Sequence, residues 1–139
     1  ITGEEGAAQA AVEKLRAAGA KRCVQLKVSG PFHSPLLAGA GEKLAKELET
    51  VEIHDIQIPY IANVTADYVK DKADVKPLLE KQVSSSVKWQ QTVERRIADG
   101  VDTFIEISPG KTLSGFMRKI SRDVKVINIE KIEDLEKLG

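Results

Sequence analysis

The order of strand-like and helix-like segments constrains the fold of this 139-residue chain more than any other feature. Short apolar runs alternate with helical patterns of roughly ten or more residues. Connections of that length are crossovers rather than hairpins, so the strands that they join lie parallel. The order therefore predicts an α/β fold with a mostly parallel sheet flanked by helices.

Four segments have the pattern of β-strands. Residues 22–29 alternate between apolar and polar side chains, as in a half-buried strand. Residues 56–64 are apolar on both sides, as in a strand covered on both faces, although Pro59 favours an edge position or an irregularity. The remaining strands are expected over 101–107 and 124–129.

The helical patterns carry start and stop signals. Thr2 and Glu5 have the spacing of a capping box, and Gly19 is expected to end the helix that follows. Ser34 and Pro35 have the residue types of an N-cap and a first helical position. Further helices are expected over about 36–49, 75–82, 87–100, 113–120 and 132–138.

Composition and charge exclude several classes of protein. The 21 Lys and Arg residues balance 21 Asp and Glu, so the chain lacks the cationic surplus of nucleic-acid binding. No apolar run approaches the ~18 residues of a membrane span, and the acidic N-terminus has no signal-peptide pattern. A single cysteine, Cys23, cannot form an internal disulfide. We expect a cytoplasmic protein with no nucleic-acid and no membrane partner.

The two histidines have different surroundings in the sequence. His54 follows a helix among charged residues, which predicts a solvated surface side chain. His33 lies in a loop between a strand and a helix, held between Pro31 and Pro35, where side chains of a parallel sheet face a cleft. Two interpretations of His33 stay open at this point: a catalytic side chain, or a loop histidine bonded to nearby backbone.

Other candidate sites are weak. Two distant histidines and one cysteine do not have the spacing of a metal site, so we expect no metal and no cofactor. Residues 108–112 superficially resemble a phosphate loop but lack its spacing, and they predict a tight turn that starts a helix. Residues 84–86, all serine, indicate a break between helices rather than a nucleophile.

Four ordered segments carry a more specific signal. They are VSGPFHSPLL at 28–37, IANVTA at 61–66, LEKQ at 79–82 followed by VKW at 87–89, and FIEISPGKTL at 104–113. In the same order they resemble the histidine motif, the asparagine-containing strand end, the glutamine segment and the E-x-[GS]-P-G-K-x-L turn of bacterial malonyl-CoA:acyl carrier protein transacylases.

That resemblance implies roles for four residues. His33 would act as general base and then acid for a serine nucleophile, and the backbone carbonyl of Gln82 would orient its imidazole. Phe32 and Asn63 would line the substrate site, with the Phe32 ring filling the space that an α-methyl group needs. The implied reaction is ping-pong transfer of malonyl from malonyl-CoA to the pantetheine thiol of acyl carrier protein in fatty acid biosynthesis.

The chain departs from the family pattern in one large respect. It contains no G-H-S-x-G nucleophile elbow, it begins at Ile1, and its only methionine is Met117. The resemblance therefore implies a C-terminal portion, with 1–29 ending a ferredoxin-like small subdomain and 30–139 closing the hydrolase-like large α/β subdomain. We expect the upstream half of the same enzyme as a partner, and no activity from the 139 residues alone.

Two alternatives stay open. In the first alternative, the chain is a fragment of the acyltransferase domain of a polyketide synthase. In the second alternative, it is a non-catalytic α/β binding module whose histidine loop has only a structural role. Addition of a fragment that carries the serine elbow distinguishes catalysis from binding, because only a transacylase would regain malonyl transfer.

Overall fold

The computed structural model describes residues 1–26 and 28–139. These form two compact units, 1–87 and 88–139, and each is described by itself. In the described part of the chain, no helix is both long enough and apolar enough to cross a membrane. The subdomain boundary between residues 29 and 30, which the family resemblance implies, stays a prediction.

Helices dominate the described residues of the first unit. The α-helices are α1 (Glu5–Ala17), α2 (Ala38–Glu49) and α3 (Val75–Ser84), with short 3-10 turns at Pro35–Leu37 and Lys72–Asp74. Two short strands, β1 (Ile61–Ala62) and β2 (Asp67–Tyr68), pair antiparallel across a tight turn. The helices predicted at 36–49 and 75–82 are thereby confirmed.

The second unit contains a β–α–β arrangement. Its elements are α4 (Trp89–Ala98), β3 (Thr103–Ile107), α5 (Thr112–Ile120), β4 (Lys125–Ile129) and a 3-10 helix (Ile132–Leu138). Strands β3 and β4 pair in parallel, as predicted, with α5 in the connection between them. The α/β fold class is confirmed. The terminal helix is 3-10, and its apolar residues recur at every third position, which is the period of that helix.

The strand predicted over 22–29 is wrong in its described part. Residues 22–26, 28 and 29 form no strand, and Leu26 is 72% exposed. The side chain of Cys23 is half-buried. Lys27 lies outside the described residues. An alternating pattern specifies two faces but no ladder partner, and no described strand pairs with this segment.

The strand predicted over 56–64 is largely wrong as well. Only Ile61 and Ala62 lie in a strand, and Ile58 is 78% exposed. Pro59 has no N–H to donate to a ladder, so it separates the preceding apolar residues from β1. The chain then reverses through a turn in which Ala66 has a φ of +58°.

Helix ends agree with the sequence better than helix starts. Gly19 and Gly100 both have a φ of +90°, the left-handed conformation that ends α1 and α4 as predicted. The capping box at Thr2 and Glu5 is wrong, because Glu4 is the N-cap and no side chain accepts a hydrogen bond there. A carbonyl-capping glycine needs only its own backbone, whereas a capping box needs two side chains in register.

A buried carboxylate fixes the start of α5. Glu106 on β3 is 7% exposed and accepts from the hydroxyl and the backbone N–H of Ser114, from the N–H of Leu113 at 3.0 Å and from the hydroxyl of Ser108 at 3.2 Å. These hydrogen bonds lower the pKa of Glu106 to about 2, and the bond from the Ser114 hydroxyl has the largest effect. The N–H of Gly110 is donated to Glu130 at 3.1 Å. The turn at 108–112 therefore starts a helix, as predicted. The backbone N–H groups of Gly110, Leu113 and Ser114 are bonded to carboxylates of the same chain.

Acid is expected to weaken the second unit through Glu106. The folded pKa of about 2 lies below the ordinary 4.5, so the carboxylate contributes its full stability above about pH 4.5 and loses it as the pH falls towards 2. Glu106→Gln should unfold at lower urea than the unmodified chain at neutral pH, and its stability should change less between these pH values. Urea titrations followed by circular dichroism measure both.

The exposed carboxylate of Glu133 provides the control for that comparison. Glu133→Gln should retain the pH dependence of the unmodified chain. Identical pH dependence in Glu106→Gln and the unmodified chain would contradict the assignment of the acid-sensitive step to Glu106.

Helices α2 and α3 pack closely at Gly41. Gly41 is buried, and a Cβ at this position would lie 3.1 Å from the backbone oxygen of Glu80. That oxygen belongs to the interior of α3, so it cannot yield without displacing the helix. A Cβ at Gly39, by contrast, would meet no atom within 4 Å.

Replacement of the two glycines by alanine should have opposite effects on stability. Helix propensity alone favours alanine by up to about 1 kcal/mol, and Gly39→Ala should show a gain of that sign. Gly41→Ala should instead lower the free energy of unfolding by about 1–2 kcal/mol, because the methyl group pushes α2 away from α3. Urea denaturation measures the difference, and equal stabilisation by both substitutions would contradict the close contact.

Candidate functional site

His33 lies in a constrained loop that leads into α2. Its φ of +57° is in the left-handed region, which residues other than glycine seldom adopt. Proline rings at 31 and 35 restrict the backbone on both sides. The buried Ser34 donates its hydroxyl to the carbonyl of Pro31 at 2.7 Å, and the N–H of Leu37 donates to the carbonyl of Ser34 at 3.0 Å. The loop therefore holds the histidine in one backbone conformation.

The prediction that Ser34 is an N-cap and that Pro35 takes the first helical position is confirmed. The Ser34 side chain itself makes no cap hydrogen bond there. The hydroxyl instead points back along the chain and donates to the carbonyl of Pro31. The sequence identified the residue type, and the geometry of the loop decided the direction of its hydrogen bond.

The imidazole of His33 meets the end of α3. Its Nδ1 lies 3.0 Å from the backbone oxygen of Gln82, which is 49 residues away in the chain. A carbonyl oxygen only accepts, so this hydrogen bond places the proton on Nδ1. The lone pair is then on Nε2, and Nε2 is the atom able to take a proton from a nucleophile. This is the geometry of an oriented general base.

The end of α3 explains why the Gln82 carbonyl is available. In a continuing helix it would accept from the N–H four residues later. The helix instead ends at Ser84, and Ser85 adopts an extended backbone. The N–H of Ser85 lies 3.4 Å from the Gln82 oxygen, a long hydrogen bond. The helix break predicted for the serine segment is confirmed, and it leaves an acceptor for His33.

The structure brings two of the four predicted site residues together. Phe32 is 52% exposed, and its ring lies near the backbone of Gly30. Asn63 is exposed in the turn after β1. Within the described residues, no hydrogen bond joins Phe32 or Asn63 to the His33–Gln82 pair. The pocket roles of Phe32 and Asn63 stay predictions.

The second histidine is solvated. The side chain of His54 is 82% exposed, and its Nδ1 lies 3.8 Å from a carboxylate oxygen of Glu52. The surface interpretation of His54 is confirmed.

Two contributions to this site were not predicted from the sequence. Gly41 allows α2 to approach α3, the helix that contains Gln82, and the Ser34 hydroxyl closes the histidine loop. A glycine inside an otherwise good helix was a usable signal for a close approach. Nothing in the sequence marks the direction in which a hydroxyl donates.

Loss of the Ser34 hydroxyl should loosen the loop. Ser34→Ala leaves the part-buried carbonyl of Pro31 without this donor and should lower the free energy of unfolding by about 1–2 kcal/mol. Thr50→Ala is a matched control, because the Thr50 hydroxyl donates to the carbonyl of Glu47 at 2.9 Å with the same spacing but at an exposed site. That substitution should cost less than about 0.5 kcal/mol. Urea titrations of both variants compare them, and equal losses would contradict a special role for Ser34.

Comparisons with known proteins point in one direction. The acyl transferase domain family matches residues 1–134. The malonyl CoA-acyl carrier protein transacylase of Bacillus subtilis (strain 168) is 43% identical over 136 residues, which are 98% of this chain and 43% of the relative. The chain thus spans less than half the length of this relative.

Solved structures give the same picture. The MCAT of Streptococcus pneumoniae superposes with a TM-score of 0.92 at 41% identity, over 98% of this chain and 44% of that one. A structure described as a type II PKS acyl-carrier protein in complex with its malonyl-transacylase superposes with a TM-score of 0.92 at 32% identity. The superposition covers 97% of this chain and 44% of the solved chain.

Proposed function

The chain belongs to the acyl transferase domain family, and from that premise we propose that it supplies the catalytic histidine of a malonyl-CoA:acyl carrier protein transacylase. The observation that carries the proposal is the 3.0 Å contact between Nδ1 of His33 and the Gln82 carbonyl. The B. subtilis relative is 43% identical and is named a malonyl CoA-acyl carrier protein transacylase, which supports malonyl as the transferred group.

In the proposed first half-reaction, a serine hydroxyl from another part of the enzyme attacks the thioester carbonyl of malonyl-CoA. Nε2 of His33 accepts the hydroxyl proton as the oxygen–carbon bond forms. When the carbon–sulfur bond breaks, the imidazolium returns that proton to the departing CoA sulfur. The Gln82 carbonyl accepts from Nδ1–H throughout, in the place of the carboxylate of a Ser-His-Asp triad.

The second half-reaction reverses these roles with a new thiol. The pantetheine thiol of acyl carrier protein gives its proton to Nε2 of His33 and attacks the malonyl–serine ester. The proton then passes to the serine oxygen, and malonyl-carrier protein leaves. Support for this partner comes from the relative that was solved in complex with an acyl-carrier protein.

Substrate selection is proposed for Phe32 and Asn63. Phe32 immediately precedes the base, and its half-exposed ring is free to contact an acyl group beside Nε2. A ring there fills the space that an α-branched malonyl group requires, which favours malonyl over methylmalonyl. Asn63 contributes an amide able to donate to a carboxylate or a carbonyl oxygen.

The upstream half of the same enzyme is proposed as a partner that contributes the serine. Exposed apolar side chains support the proposal that the upstream half covers part of this chain. Leu26 is 72% exposed in the first unit, and Ile107 is 79% exposed in the second. Val24 and Val28 are also exposed, and a run of exposed apolar side chains, unlike a single one, marks an interaction surface. The boundary between residues 29 and 30 belongs to this proposal.

Complementation tests the proposed function. The 139 residues alone should form no malonyl adduct, because they contain no G-H-S-x-G elbow. After mixing with a fragment of a family member that contains the elbow, malonyl transfer from malonyl-CoA to acyl carrier protein should appear. In that mixture, His33→Ala should reduce the rate by about 10²–10⁴-fold, the contribution of a general acid–base group.

His54→Ala is the control histidine substitution and should leave the rate unchanged. Intact-mass measurement of acyl carrier protein reports the product in each case. An active mixture that tolerates His33→Ala would contradict the proposed base. A mixture that stays inactive, while the chain alone binds a partner tightly, would favour the binding module instead.

A further inference from the structure

The backbone of His33 adopts a conformation that its residue type disfavours. Its φ is +57°, and among the other described residues that are not glycine only Ala66 has a positive φ. In this region a β-carbon lies too close to the following carbonyl oxygen, which disfavours the conformation about fivefold or more relative to glycine. Some contact must therefore hold His33 in the left-handed conformation.

The contact with Gln82 does not account for this backbone. It joins Nδ1 of the ring to a carbonyl oxygen at 3.0 Å. Two rotatable bonds separate the ring from the main chain, so this contact restrains the ring directly and φ only indirectly. The left-handed backbone needs a restraint that acts on the main chain itself.

The side chain of Ser34 supplies such a restraint. Phe32 and His33 are the two central residues of a turn that begins at Pro31 and ends at Ser34. The Ser34 hydroxyl donates to the carbonyl of Pro31 at 2.7 Å, so this hydrogen bond closes the turn across the histidine. His33 is the third of the four residues, the position at which a type II turn requires a positive φ and favours glycine or asparagine.

Ser34 is itself held firmly on its other side. It is only 5% exposed, so water competes little for its hydroxyl. Its carbonyl accepts from the N–H of Leu37 at 3.0 Å, in the 3-10 turn that leads into α2. The start of the helical segment therefore fixes Ser34, and the hydroxyl ties Pro31 to it.

We propose that Ser34 is a positioning residue for His33, and that its hydroxyl imposes the left-handed backbone from which the imidazole reaches its acceptor. It acts through the main chain of the preceding residue and not on the transferred group. The consequence for malonyl transfer rests on the proposed function, whereas the consequence for the backbone concerns this chain alone.

Alanine and glycine substitutions of His33 report the sign of φ. Alanine is the more stable of the two in ordinary extended or helical backbone, and glycine is the more stable in left-handed backbone. Both remove the imidazole, so the loss of the Gln82 contact cancels in the comparison. With Ser34 intact, the folding equilibrium constant of His33→Gly should exceed that of His33→Ala about fivefold or more.

The same comparison in a Ser34→Ala background tests the hydroxyl. Without the bond to Pro31 the turn is free to relax to a negative φ, so the advantage of glycine should disappear or reverse. Urea titrations of the four variants of the full chain give the folding constants. An unchanged advantage of glycine in the Ser34→Ala background would overturn the inference, and so would an advantage of alanine with Ser34 intact.

Thr50→Ala provides the matched control background. The Thr50 hydroxyl also donates to a carbonyl three residues earlier, that of Glu47 at 2.9 Å, but at an exposed site. The advantage of glycine at position 33 should persist there. If the Ser34→Ala variants do not fold, Ser34→Cys replaces them, because a thiol is a weaker donor of similar size. The advantage of glycine should then shrink, and an unchanged advantage would overturn the inference.

Kinetics of the complemented mixture separate positioning from stability. Ser34→Ala should lower kcat about tenfold and change KM for malonyl-CoA less than about twofold, because the base is misplaced while the substrate contacts remain. Thr50→Ala should change neither. An unaltered kcat in an active mixture would overturn the positioning role. Loss of the glycine advantage together with an inactive unmodified mixture would retain the backbone role of Ser34 and reject only the proposed function.

Discussion

Helix α2 meets helix α3 at Gly41, where any side chain would lie 3.1 Å from the carbonyl of Glu80. The histidine loop runs directly into α2, and the partner carbonyl of Gln82 lies near the end of α3. The close packing at this glycine therefore holds together the two helices whose ends lie next to His33 and its acceptor. The candidate site is thus a property of helix packing as much as of its own residues.

Both units make use of helix ends, with different outcomes. The first turn of a helix leaves N–H groups unpaired, and the last turn leaves carbonyls unpaired. At the start of α5 the buried Glu106 accepts from the N–H groups of Leu113 and Ser114. At the end of α3 a carbonyl is satisfied by an imidazole, and that bond leaves a reactive nitrogen exposed. The first arrangement stabilises the start of a helix, and the second fixes the orientation of an imidazole ring.

Local signals predicted the helices better than the strands. Gly19 and Gly100 end helices because a left-handed residue is needed there and glycine adopts it without strain. The alternation at residues 22–29 failed because a strand exists only with a partner, and apolar spacing does not identify one. Pro59 correctly indicated an irregularity in the apolar run, of which only the last part enters β1. In the second unit, the crossover through α5 correctly implied that β3 and β4 are parallel.

The sequence by itself determined the α/β class, the helix ends and the histidine on which the candidate site is built, since these depend on residue types and their spacing. Only the tertiary structure decided which nitrogen of His33 carries the proton. The acceptor is a backbone carbonyl, and because every residue has one, no residue type identifies it. Gln82 is selected by a helix that stops at Ser84 and by packing that brings its carbonyl to within 3.0 Å of the imidazole.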